Sequence, residues 1–244
     1  MGNLERTAPT GLSPPLFEAD QYTRREKLKN MTPLLPFRFD EVLCIGAHVD
    51  DIEIGCGGTI WQMMSSKNPP NLRWIVFSAS ETRKLEAIRS VNAIPNSSKI
   101  HMEVLDFKDS FFPSEYTQIK QKFDELRRDI KPDLIFTHCR SDRHQDHSLL
   151  AELTWNTFRN HLIFEYEIPK YEGDLGQPNV YSPIADETAE QKCDWIMNNF
   201  VSQLSKHWLD PELLMGLLRL RGIESGRKNF YAEAFYCDKF IFNF

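Results

Sequence analysis

Residues 44–58 read CIGAHVDDIEIGCGG, and the join inside that stretch decides the fold. An apolar run ending at Ala47 has the makeup of a buried strand. It stops on His48, Asp50 and Asp51, and a cluster of glycines follows at once. Burying two carboxylates and an imidazole without partners would cost on the order of several kcal/mol. The charges therefore call for an open edge or a counter-ion.

Outward from this join, short β-rich runs recur at 42–47, 73–78, 99–107 and 133–137. Segments of helical spacing lie between and after them. Tyr116, Ile119, Phe123, Leu126 and Ile130 mark one helix face, and Leu85, Ile88 and Val91 a weaker one. Leu150, Leu153 and Thr157 suggest a helix after RHQDH. Such alternation predicts an α/β fold with a parallel, doubly wound sheet, whose ligands bind beyond the carboxyl ends of the strands. The last third differs. Residues 164–184, FEYEIPKYEGDLGQPNVYSPI, read as a long shaped loop around a short strand. Cys193, Ile196, Met197, Phe200, Val201 and Leu204 mark an amphipathic helix, and Asp210-Pro211 opens another running through Leu220. A final strand is expected over 232–242. Residues 1–37 are polar and proline-punctuated and read as an arm, with one domain over 38–244.

Composition excludes several classes. A balance of 29 basic against 35 acidic residues gives −6 with no basic stripe, which argues against a nucleic-acid partner. No apolar stretch approaches the roughly 20 residues of a bilayer span, and the N-terminus lacks the apolar core of a secretory signal. Five widely spaced cysteines without a CxxC pair read as reduced core residues of a cytoplasmic protein.

The chemistry concentrates after two strands. His48, Asp50 and Asp51 follow the first, and HCRSDRHQDH, holding His138, Asp142, His144, Asp146 and His147, follows DLIFT. In neighbouring parallel strands both clusters would emerge at the same edge. Two imidazoles and one carboxylate, His48, Asp51 and His147, suit Zn²⁺ and leave a position open, as catalytic zinc requires. Asp50 is then placed to accept a proton, His144 to stabilise an oxyanion or protonate a leaving amine, and Asp146 to fix the orientation of His144. Other roles fit parts of the pattern: Asp51 as a helix N-cap, 141–147 as a solvated loop, and GCGGT as a phosphate cradle or, better, as close helix–sheet packing.

The stretch AHVDDIE with its following GCGGT resembles the A-H-P-D-D-x-E signature of the PIG-L/LmbE-like N-deacetylases. PDLIFTHCRSDRHQDH resembles that family's second signature, and RGIESGRKNFYAEAF (221–235) its C-terminal one. The resemblance implies a Rossmann-like fold and metal-dependent hydrolysis of an N-acyl group, usually acetyl on an amino sugar. By position it makes His48, Asp51 and His147 metal ligands, with Zn²⁺ or Fe²⁺ as the ion. It makes Asp50 the general base, His144 the imidazole that assists oxyanion and leaving group, and Asp146 the carboxylate partner of His144. Arg83, Glu86 and Asp109 match substrate-site positions, and the 165–181 loop lies where relatives recognise substrate. Val49 stands where the family has proline. The sequence thus predicts release of acetate from an N-acetylamino sugar borne by a nucleotide-sugar, a glycoconjugate or a glycosylated metabolite. Two rivals remain: a Mg²⁺- or Mn²⁺-dependent phosphohydrolase built on Asp50, Asp51, Glu53, Asp142 and Asp146, and a non-catalytic sugar or nucleotide binder. Oligomeric state is open.

Overall fold

The structure, a computed structural model, describes residues 38–226 and 231–241. The arm expected over 1–37 lies outside the described residues. Seven strands form one sheet: β1 (Glu41–His48), β2 (Asn71–Ser78), β3 (Ile100–Val104), β4 (Leu134–His138), β5 (Leu162–Tyr166), β6 (Val180–Ile184) and β7 (Tyr231–Tyr236). The helices are α1 (Asp51–Met64), α2 (Glu81–Ala93), α3 (Tyr116–Asp129), α4 (Gln145–Thr157), α5 (Asp186–Asn199) and α6 (Pro211–Glu224). Among the described residues, no helix is long and apolar enough to cross a membrane.

The strand order is β3-β2-β1-β4-β5-β7-β6. The first five are parallel, and β7 runs antiparallel to both of its neighbours. This is the expected mostly parallel, doubly wound sheet. The order reverses between β1 and β4, so their carboxyl ends sit side by side at the switch point, where such sheets open a ligand crevice.

Both faces of β1 are buried, which explains its unbroken apolar run. Val42 and Cys44 pack with Trp74, Phe136, Ile60, Val91 and Ile196 on one face. Leu43, Ile45 and Ala47 pack with Phe77, Ile119, Phe123, Leu150 and Leu153 on the other. The buried face of α3 (Ile119, Phe123, Leu126) is the one its periodicity marks. In α2 the outcome differs: Leu85 and Ile88 are exposed (59% and 45%), while Glu86, Ala87, Ser90 and Val91 face inward. The helix expected to reach Leu204 ends with α5 at Asn199, and Val201 and Leu204 are exposed. Asp210 does cap α6, accepting the amides of Glu212 and Leu213.

The glycines after the first cluster serve packing. A side chain at Gly55 would overlap the Tyr166 ring, and one at Gly57 would reach Trp195 at 2.8 Å. Helix α1 is interrupted at Cys56 (φ −142°). The freed amides of Gly58 and Thr59 donate to the Glu233 carboxylate at 2.7 Å each, and the buried Lys192 neutralises that carboxylate at 2.6 Å. A Gly55→Ala substitution is expected to destabilise the protein by about 2–3 kcal/mol, because Tyr166 cannot yield without losing its 2.6 Å bond to the Ile45 carbonyl. Denaturant unfolding checks this.

Candidate active site

Each functional side chain stands on a terminus at the switch point. His48 ends β1, Asp51 opens α1, His138 ends β4, and His144 caps α4, whose first turn carries Asp146 and His147. Asp50 sits between β1 and α1 in a left-handed conformation (φ 99°). Such a conformation costs a residue with a Cβ on the order of 1–3 kcal/mol and persists only where the surroundings enforce it. The enforcement is visible. The Asp50 carbonyl accepts the Ile54 amide at 2.9 Å, and its carboxylate pairs with Arg83 at 2.9 Å, while Arg83 also donates to the Val49 carbonyl.

The three expected ligands converge. His48 Nδ1 lies 3.2 Å from His147 Nε2, and Asp51 Oδ2 lies 3.5 and 3.6 Å from those two nitrogens. Tetrahedral coordination with bonds of about 2.0–2.1 Å would hold donors about 3.3 Å apart, so the residues present fit a divalent ion. Each imidazole has a carboxylate behind it. Asp146 lies 3.2 Å from His48 Nε2, and Asp142 lies 3.0 Å from His147 Nδ1. Carboxylates so placed fix the tautomer and leave the other nitrogen for a metal. Asp51 is oriented by the His48 amide at 2.7 Å and by His138 Nε2 at 3.2 Å, and the His138 ring stacks on His147 with centroids 3.9 Å apart.

Electrostatics separate the roles. Burial raises the Asp51 pKa, but the adjoining His147 and His138 outweigh it and hold it well below the usual range. Burial lowers the pKa of His147, with His138 adding to the effect, so its imidazole is neutral. His48 is different: burial disfavours its charge, yet hydrogen bonds to Asp109, Asp146 and Asp51 raise its pKa well above the ordinary value. Burial pushes Asp50 up to about 7, with Arg83 opposing and Asp51 adding. Burial and then His147 and His48 lower His144. Its Nδ1 accepts the Asp146 backbone N–H at 3.3 Å, so the neutral ring carries its proton on Nε2.

Two expected roles are revised. Asp146 does not direct its carboxylate to His144. Its oxygens take His48 Nε2, the Ser110 amide at 2.6 Å and the Phe112 amide at 3.2 Å, because the first turn of α4 aims it back toward β1. Glu86, expected to contact substrate, is buried and bonds Arg83 at 2.9 Å and the Ser202 amide and hydroxyl at 2.8 and 2.7 Å. One helical turn from Arg83, it braces that guanidinium instead. Asp109 remains exposed (68%) and 3.2 Å from His48 Nε2. Sequence reasoning gave no positioning role to His138 or Asp142 and did not single out Lys170, which donates to Asp142 at 2.8 Å. The Thr-His end of β4 and the aspartate two residues before His144 were the available signals for the first two.

The groups open into a cavity of about 610 Å³ lined by His48, Asp50, Asp51, Arg83, Asp109, His144 and His147, and by Lys170, Tyr171, Glu172, Lys206 and Trp208. The switch point thus gathers a His₂Asp cluster and a buried carboxylate in one cavity, a donor set that could hold a divalent ion. Residues 43–158 match the model of the PIG-L family, described as GlcNAc-PI de-N-acetylase. The match runs from β1 to the end of α4 and contains every site residue from His48 to His147.

Solved structures share the fold. The conserved protein TT1542 from Thermus thermophilus aligns with a TM-score of 0.65 at 20% identity, over 85% of this chain and 98% of the other. The N,N'-diacetylchitobiose deacetylase of Pyrococcus horikoshii aligns at 0.62 and 18%, over 93% and 94%. The 4-carboxy-2-hydroxymuconate hydratase GalB of Pseudomonas putida aligns at 0.66 and 16%, over 84% and 98%. A deacetylase and a hydratase thus stand on one scaffold, and the chemistry has to be argued from side chains.

Proposed function

We propose that the protein is a metal-dependent amidohydrolase that removes the acetyl group from an N-acetylamino-sugar unit. The observation that carries this reading is the convergence of His48 Nδ1, Asp51 Oδ2 and His147 Nε2 within 3.2–3.6 Å beside Asp50 and His144 in one cavity. The family description and the chitobiose deacetylase neighbour support the amino-sugar part. The ligand set suits Zn²⁺ best and also accepts Fe²⁺. When bound there, such an ion would polarise the amide carbonyl and acidify water.

The chain's own groups would do the rest. Asp50 accepts the proton of the attacking water, and its pairing with Arg83 fixes the direction of the receiving oxygen. As the carbonyl carbon becomes tetrahedral, negative charge gathers on the carbonyl oxygen. His144 Nε2–H donates toward that charge, a contribution of about 10²–10³ in rate for one well-placed donor. The C–N bond then breaks, the leaving nitrogen takes a proton from Asp50 or His144, and acetate and a free amine depart. Tyr171 and Trp208 line the same cavity and would give a sugar ring apolar surface to pack against.

The phosphohydrolase rival requires its carboxylates to meet. Instead Asp50 faces Arg83, Glu53 accepts Ser90 at 2.6 Å, Asp142 faces His147 and Lys170, and Asp146 faces His48. Asp142 and Asp146 thus reach the donor set only through an imidazole, which suits a borderline ion more than a hard one.

Arg83→Gln tests the base assignment. Arg83 opposes protonation of Asp50, so its loss lets Asp50 hold its proton to higher pH. Activity needs the ionised form, so the acid limb of the kcat profile is expected to move to higher pH. For the reaction itself, the zinc-loaded protein is offered free, nucleotide-linked and lipid-linked N-acetylamino sugars. Acetate and primary amine in equal amounts from at least one of them support the reading, whereas release of phosphate with no acetate would reverse it in favour of the rival.

A further inference from the structure

Behind His147, on the Nδ1 side of its ring, lies a buried charge cluster that the proposed reaction does not use. Lys170 Nζ donates at 2.8 Å to Asp142 Oδ2 and at 2.8 Å to both oxygens of Asp174. The side chains of Lys170, Asp142 and Asp174 are only 9%, 3% and 5% exposed. The Asp142 oxygen that Lys170 grips is the one that faces His147 Nδ1 at 3.0 Å, while the other oxygen of Asp142 takes the His144 amide at 2.8 Å. Asp174 in turn accepts the Arg143 amide at 2.7 Å, and the Arg143 side chain reaches the Glu172 carbonyl at 3.2 Å.

Desolvating an ammonium and two carboxylates is costly, and the loop already has a tie outside the cluster, from the Arg143 side chain to the Glu172 carbonyl. The shared oxygen gives the cluster a purpose. Without Lys170, Asp142 would be anchored only at its other oxygen, by the His144 amide, and the oxygen facing His147 could shift. Lys170 fixes that carboxylate from behind, so the imidazole plane is fixed and Nε2 stays aimed at Asp51 and His48. We infer that Lys170 is a positioning residue that couples the cavity loop to His147 through Asp142, and thereby sets the affinity of the site for its metal. This rests on the ligand assignment proposed above. The neighbours of Lys170, Tyr171 and Glu172, line the cavity, so the loop that would meet substrate also steadies a ligand.

The test is the Zn²⁺ dissociation constant of the full chain, read by competition with a chromogenic chelator, for wild type, Lys170→Met, Lys170→Arg, Asp174→Asn, Asp142→Asn and the Lys170→Met/Asp142→Asn pair. Lys170→Met is expected to weaken zinc binding about tenfold or more, the usual scale for partners behind a ligand. Lys170→Arg restores most of that loss. Asp174→Asn keeps the Lys170–Asp142 contact and the Arg143 tie to the Glu172 carbonyl, and its zinc affinity stays at the wild-type value. In the double variant the effects do not add, because Lys170 acts through Asp142. Unchanged zinc affinity in a natively folded Lys170→Met protein, or losses that add in the pair, would overturn the inference while leaving the ligand assignment standing. A wild type that binds no zinc overturns both. If the methionine variant does not fold, Lys170→Gln removes the same charge and is read in the same way.

Discussion

Asp50→Asn is expected to keep its zinc and lose about 10²–10⁴-fold in kcat, the range for removal of a positioned general base. Asparagine is among the residues that tolerate positive φ, so the φ of 99° at this position is retained. Asp50 is not one of the three converging donors, so metal content should remain at the wild-type level. Arg83 keeps Glu86 as a partner at 2.9 Å and does not collapse into the cavity. Steady-state kinetics beside metal analysis check both halves. Wild-type turnover in Asp50→Asn would assign the base elsewhere, with Asp109 next in line because it lines the same cavity.

His147→Ala is expected to have the larger effect: loss of bound zinc and a fall in activity to the uncatalysed rate. The substitution removes one of three donors and strands its supports. Asp142 loses the imidazole at 3.0 Å, and His138 loses the ring stacked on it at 3.9 Å. Structural consequences are modest by comparison, since Asp142 retains Lys170 at 2.8 Å and the His144 amide at 2.8 Å. A native circular dichroism spectrum with no bound zinc is the expected signature. Retention of stoichiometric zinc would move the metal to another set, such as His48, Asp109, His144 and Asp146, whose donor atoms also lie within 4.8 Å of one another.

The sheet was legible because its strands are buried on both faces and its polar groups crowd at strand ends. CIGAH and LIFTH announce both facts within a few residues. The convergence of His48, Asp51 and His147 was legible for the same reason: each lies on or just inside a strand or helix terminus at the switch point. What escaped was mostly buried polar structure. In α2 the inward positions include Glu86 and Ser90, which are satisfied by Ser202, Arg83 and Glu53, so a count of apolar spacing selected Leu85 and Ile88 on the wet side. The partner of Asp146 escaped because adjacency in sequence favours His144, whereas the direction of the first turn of α4 favours His48. Lys170 escaped entirely. Its contacts cross from one loop to another, and no periodicity records them. The antiparallel insertion of β7 between β5 and β6 is likewise a long-range pairing without a local signal.

One measurement separates this description from its competitors most directly: zinc titration of the metal-stripped protein with acetate release followed on an N-acetylamino sugar identified from the substrate panel. Activity should rise in proportion to zinc and reach a plateau at one ion per chain, while Asp50→Asn takes up the same single ion and stays at baseline. Acetate release that is independent of zinc, or an Asp50→Asn protein that rises with the wild type, would contradict it.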